Sequence, residues 1–242
     1  MDEYLRIARL LEEGKIDPEE AERLIEALEG GEKAQVASEG RRLRVRIERA
    51  DLEVRVREGR EAPAVEQDGG LGLKLEEDAE GWKLAGAARQ RFFGAFGLLA
   101  GRKAAVLALP ADVGLELRLG QGEVRVEGTL PWLRVQMGQG RLRFAGASSL
   151  DVQLGQGEVQ GRVRIADGRH RLRLGMGEVK LALAEGSDLR LQVSVSLGRL
   201  GVSGSLNHRG EGPGQRFEGV LGAGRGELRV SVGMGKVEVT TP

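Results

Sequence analysis

Two kinds of residue in this chain invite a chemical reading: paired glycines and isolated histidines. Five near-copies of one stretch place glycines one residue apart, a spacing that can cradle phosphate when it continues into Gly-x-Gly-x-x-Gly or Gly-Lys-Ser/Thr. Neither continuation occurs, and five near-copies are too many for one nucleotide. The glycines are therefore expected to be structural corners. His170 and His208 are the two histidines, set in the turn-rich stretches ADGRH and GSLNHRGEGPG with no His or Cys neighbour. A metal needs three or four converging ligands, so both histidines are expected at surface turns. Glycan-cleaving folds cluster their acids in one groove. Here strand acids alternate singly with arginines, and Asp151, Asp167 and Asp188 fall at corners. Cysteine is absent, which excludes disulfides, Cys-ligated zinc and thiol catalysis. These residues predict no catalytic, cofactor-binding or metal-ligating set, and a protein that is not an enzyme.

The paired glycines lead to the elements that hold them. LRLGQGEVRVEG from Leu117 is followed by VQMGQGRLRF from Val135, VQLGQGEVQG from Val152, LRLGMGEVKL from Leu172 and VSVGMGKVEV from Val230. VSVSLGRLGV from Val193 lacks the first glycine. Each copy alternates apolar and polar residues on both sides of the corner, the period of a strand with one buried face. The corner glycines are Gly120 and Gly122, Gly138 and Gly140, Gly155 and Gly157, Gly175 and Gly177, and Gly233 and Gly235.

Corners begin at 120, 138, 155, 175, 196 and 233, in steps of 18, 17, 20, 21 and 37 residues. The doubled last step is expected to hold one degenerate coil, with residues 204–214 as a looped insertion. A fixed period near 20 is the mark of stacked supersecondary units. Second turn-rich links (GTLPW, AGASS, ADGRH, AEGSD) separate the copies. The prediction is a mainly β chain: a two-sheeted parallel β-solenoid of about 18–20 residues per coil, with an antiparallel meander as the rival. Stacking would bring Gln121, Gln139 and Gln156 into an amide ladder. The next position, Glu123, Arg141, Glu158, Glu178, Arg199 and Lys236, would become a column of mostly alternating charge.

Ahead of the β region, residues 2–13 and 17–28 predict a small α-helical hairpin. Tyr4, Ile7, Ala8 and Leu11 share one helical face. Asp17-Pro18-Glu19-Glu20 starts the second helix as N-cap, N1 and capping-box partner. Leu24, Ile25 and Leu28 lie on its apolar stripe. Residues 1–30 carry ten acids and four bases, a net charge of −6 that leaves +6 on the rest of a neutral chain. That argues against bulk nucleic-acid binding, which wants a basic domain. The predicted organisation is a hairpin at 1–30, a linker at 31–41 and a solenoid at 42–242.

Residues 89–103, RQRFFGAFGLLAGRK, break the pattern with Phe92, Phe93, Phe96, Leu98 and Leu99 between basic flanks. Such a segment suits either a cap over the open end of a repeat fold or a contact with a partner or anionic membrane surface. Pro63 to Gly70 is expected to be loop, and AAVLALPADV a strand ending at Pro110. An aromatic content of 3% suits a thin aliphatic core. An excess of Arg over Lys with a single asparagine points to a thermophile. No signal peptide and no membrane-spanning run is apparent, so the expected location is the cytoplasm or the inner face of its membrane.

Two stretches carry a resemblance. LEEGKIDPEEAERLIEAL (11–28) resembles the N-terminal helical hairpin of bacterial proteins of the YvlB and LiaX type. LALPADVGLELRLGQGEVRVEG (107–128) is similar to the start of their β-domain, an adhesin-labelled member of the toast-rack β-solenoids; residues 89–103 stand outside it. The resemblance implies a non-enzymatic role in envelope-stress sensing, with a membrane protein or regulator as partner. The sequence reading is an interaction scaffold that touches its partner through Leu24, Ile25 and Leu28 and through Phe92–Leu99. Self-association into filaments and a glycan-acting β-helix enzyme are the alternatives.

Overall fold

A computed structural model describes residues 40–86 and 104–242. The helical hairpin at 1–30, with Leu24, Ile25 and Leu28, lies outside the described residues, as do Phe92, Phe93, Phe96, Leu98 and Leu99. All described residues fall in the second of the chain's two units, Val36–Pro242.

Apolar alternation produces long strands that run straight through the glycine corners. They are β7 (Gly114–Leu130), β8 (Leu133–Ala147), β9 (Leu150–Val163), β10 (Arg169–Leu183), β11 (Leu189–Ser203) and β13 (Gly226–Thr240), with β12 (His208–Leu221) between the last two. In β7 the inward residues are Leu115, Leu117 and Leu119 before the corner and Val124 and Val126 after it, all at most 3% exposed. The corner thus shifts the inward parity by one, and both arms of a rung face one core. Neighbouring rungs are parallel and in register, Leu117 on Val135 on Val152 and Val124 on Leu142 on Val159. The chain is a parallel β-solenoid, and side chains one coil apart are neighbours. Its two arms, expected as two sheets, form one sheet, because the ladder continues through Gln121–Gln139 and Gly122–Gly140. Two large aromatics fill space left by a bare glycine: a Cβ on Gly161 would sit 2.2 Å from the Phe144 ring, and one on Gly114 would sit 1.9 Å from that of Trp132.

Sequence order and stacking order differ at both ends. β1 (Arg42–Arg49) and β2 (Leu52–Arg57) form one rung, which lies between β7 and an outer rung built from β5 (Gly81–Gly86) and β6 (Ala105–Pro110). At the other end β13 is inserted between β10 and β11, parallel to both. The expected stacking of the Val193 copy directly on the Leu172 copy is therefore corrected: the Val230 copy separates them. Nor does the doubled step hold a degenerate parallel coil. Residues 208–221 form β12, which runs antiparallel to β11 as the outermost strand. The Gly/Pro-rich composition that suggests a loop is tolerated there because an edge strand leaves one side of its backbone unpaired. Likewise β3 (Ala64–Gln67), inside the expected loop at 63–70, and β4 (Leu73–Asp78) run antiparallel to β6 and β5. Among the described residues, both ends of the parallel stack are closed by antiparallel strands.

Candidate functional site

The corners are where backbone geometry is most constrained. The second glycine of each pair has positive φ, from 138° at Gly177 to 155° at Gly122, a region L-residues avoid. Space is as restrictive as torsion: a Cβ on Gly140 would lie 1.8 Å from the Gly122 carbonyl oxygen, and one on Gly157 1.7 Å from that of Gly140. The first glycines follow suit, with Gly138 against Gly120 at 2.6 Å. Gly155, Gly175, Gly233 and Gly235 repeat these contacts one rung further on. Each corner is thus closed by the carbonyl of the rung beside it. It is a stacking joint, not a phosphate cradle.

Between each glycine pair one side chain projects outward. In stacking order this column runs Gln121, Gln139, Gln156, Met176, Met234, Leu197 and Pro213. Gln139 Nε2 donates to Gln156 Oε1 at 3.4 Å, a rung of the expected amide ladder. The column then becomes apolar. Met176, Met234 and Leu197 are 47, 45 and 48% exposed, which makes them, with Val220, the exposed large hydrophobics among the described residues. The insertion of β13 brings the two methionines side by side. Sequence reasoning placed these residues at the middle of the corner without singling them out. The available signal was that a corner's middle residue points to solvent, so an apolar one there has no core to join.

Alongside runs the charged column, now in the order Glu123, Arg141, Glu158, Glu178, Lys236, Arg199 and Glu211. Arg141 bridges Glu158 at 2.9 Å and Glu123 at 3.6 Å, and Arg199 bridges Glu211 at 2.8 Å. Glu178, stacked on Glu158, is compensated by Lys180 at 3.0 Å and Lys236 at 3.4 Å. The hydrogen bond from Lys180 is the main reason its carboxyl titrates below the usual carboxylate range, with Lys236 adding to it. Exposed pairs of this kind contribute about 0–1 kcal/mol each. Their use is in register, because a slip by one residue breaks the whole column.

The expectation of two surface histidines is corrected for His170. It lies in β10, 4% exposed, on the inward column between Leu150 and Leu228. Its Nδ1 accepts the Leu150 N–H at 3.2 Å and lies 3.3 Å from Ser149 Oγ, while Nε2–H donates to the Asp167 carbonyl at 2.6 Å. A ring with one accepting and one donating nitrogen is neutral, and burial lowers its pKa. The group is a structural linchpin of the second corner. His208 is half-buried and begins the strand β12 instead of lying in a turn, with its ring 5.3 Å from that of Phe217. The acids spread likewise. Asp151 pairs with Arg134 at 3.4 Å and Asp188 with Arg225 at 2.6 Å, on different rungs. Among the described residues no group of three or more His, Cys, Asp or Glu is placed to hold a metal.

Residues 2–33 match the family described as a SHOCT-like domain. No curated protein matches the chain. Two solved structures resemble it. One is a candidate cell adhesion protein from Clostridium sporogenes, 13% identical, covering 84% of this chain and 93% of its own, with a TM-score of 0.46. The other is a candidate adhesin from Bacteroides fragilis, 8% identical, covering 83% and 92%, with a TM-score of 0.31. This chain joins a segment similar to a SHOCT-like domain to a parallel β-solenoid whose distinctive residues are ranked along a corner edge.

Proposed function

We propose that the protein is a non-enzymatic interaction scaffold, serving bacterial envelope-stress sensing at the cytoplasmic face of the membrane. The observation that carries the scaffold reading is the commitment of the chemically capable groups to stacking. Corner glycines abut carbonyls, His170 is buried between backbone partners, and the corner-column acids are paired along the ladder. What the solenoid offers to solvent is ordered rows of side chains, the surface that repeat folds use for binding. The envelope-stress assignment rests on the sequence resemblance, and the partner it suggests is a membrane protein or regulator.

The filament alternative is disfavoured by the ends of the stack. β12 carries Pro213 and four glycines, and β4 carries Lys74, Glu76, Glu77 and Asp78. Charge and proline on an edge strand oppose strand-to-strand association. The contact sites proposed outside the described residues are Leu24, Ile25 and Leu28, and Phe92, Phe93, Phe96, Leu98 and Leu99.

Proximity labelling in native cells, with the intact chain and one lacking residues 1–30, tests this reading. Enrichment of envelope proteins by the intact chain alone is the expected result. Equal labelling by both chains, spread over unrelated proteins, would overturn it.

A further inference from the structure

We propose that the corner edge of β10, β13 and β11 docks on an anionic lipid surface, with Met176, Met234 and Leu197 entering the interface. The inference deepens the scaffold reading by assigning one contact and the chemistry of what it meets.

Three observations converge. The apolar ridge is contiguous: its three side chains occupy successive rungs, about 4.8 Å apart, with Gln156 before them and Pro213 after. It is also convex, the outer rim of a bend, whereas a protein partner's hot-spot residues fill pockets. A bilayer accepts a ridge without a matching groove. Beside it on the first arm runs an outward column free of acids, in stacking order Lys74, Ala85, Arg46, Arg118, Gln136, Gln153, Arg173, Ser231, Ser194 and Arg216. Its cations extend about 43 Å along the stack at that rung spacing, with Arg173 and Arg216 flanking the ridge itself. On the other side of the ridge the column Glu178, Lys236, Arg199 and Glu211 is paired within itself, so the one-sided row of cations sets the sign of this edge, the pattern of an interfacial anchor on anionic headgroups. Self-association through the ridge is the weaker fit, since three half-exposed side chains fall far short of the roughly 800 Å² per partner of a stable interface.

The protein supplies its own control. Gln121, Gln139 and Gln156 occupy the same column, so the triple variant Met176→Gln, Met234→Gln, Leu197→Gln extends an existing ladder instead of opening a cavity. The test is flotation of the full chain with phosphatidylcholine vesicles and with vesicles containing about 30% phosphatidylglycerol. Wild type is expected on the anionic vesicles only, with binding that weakens as salt rises. The triple variant should lose at least about tenfold in partitioning with an unchanged melting temperature. Arg173→Gln with Arg216→Gln should lower binding and flatten its salt dependence. Wild type that stays in solution, or a triple variant that floats like wild type, would overturn the proposal. So would a dimer in sedimentation that the triple variant dissociates, which assigns the ridge to a second copy. A failure here alongside successful envelope labelling by the intact chain removes this contact and leaves the scaffold reading standing.

Discussion

Asp188 holds Arg225 twice, accepting its backbone N–H at 3.2 Å on Oδ1 and its guanidinium Nε–H at 2.6 Å on Oδ2. The Gly226 N–H meanwhile donates to the Asp188 carbonyl at 2.9 Å. Asp188 precedes β11, and Arg225 ends the turn that sends β13 back between β10 and β11. One side chain thus fixes the point of re-entry. The hydrogen bond from Arg225 lowers the Asp188 pKa. Its contribution is therefore complete above the ordinary carboxylate pKa and fades as pH falls through the lowered value. Asp188→Asn should lower the urea midpoint at neutral pH, and the gap from wild type should narrow in acid. Paired urea titrations at pH 7 and pH 3 check this.

Re-entry makes the last rung an interior one. Hydrogen exchange should show Val230, Val232 and Val237 protected as strongly as Val152 in the middle of the stack, because β13 is paired on both sides. Amides of β12 and β4 should exchange much faster, as unpaired edges open locally. Rapid exchange throughout β13 would contradict the inserted order.

The second glycine of a stacking joint tolerates no side chain. Gly157→Ala places a Cβ 1.7 Å from a backbone carbonyl at a φ of 141°, so strain and clash combine to cost more than about 3 kcal/mol. Loss of cooperative thermal unfolding is the expected readout. Gly40→Ala, with nothing within 4 Å of the new methyl, should match wild type.

His170 makes stability depend on pH near neutrality. Burial lowers its folded pKa below the ordinary imidazole value of about 6.5, so the unfolded chain binds the proton more readily. Stability is full above that value and declines as pH falls below it, by at most about 1.4 kcal/mol per unit. His170→Leu, matching Leu150 and Leu228 in its column, should flatten this slope between pH 7 and 5. It should also cost about 1–2 kcal/mol at pH 7, since the Leu150 N–H loses its acceptor. Chemical denaturation across that range reads both effects.

The described part of the solenoid was legible because its signals are local. Alternation gives each arm its inward face, Gly-x-Gly gives the corner, and the repeat gives the Val124–Leu142 ladder. Neighbour order was not legible, because near-identical rungs are interchangeable partners: Glu178 finds a cation in Lys236 as it would have in Arg199. His170 misled for another reason. ADGRH carries turn chemistry, yet parity with Leu172 and Leu174 places the ring inward, and parity was the better guide. The apolar ridge was visible letter by letter at Met176, Leu197 and Met234, but not as an unbroken strip until β13 was placed.

The late arrival of β13 in the chain also bears on synthesis. A nascent chain presents β11 before the strand that belongs beneath it exists, so coils cannot simply be added in the order they leave the ribosome. Either β11 and β12 wait with a vacant berth, or they settle on β10 and must later be prised away. In both cases β11 and β12 reach their final place only after β13 has been made.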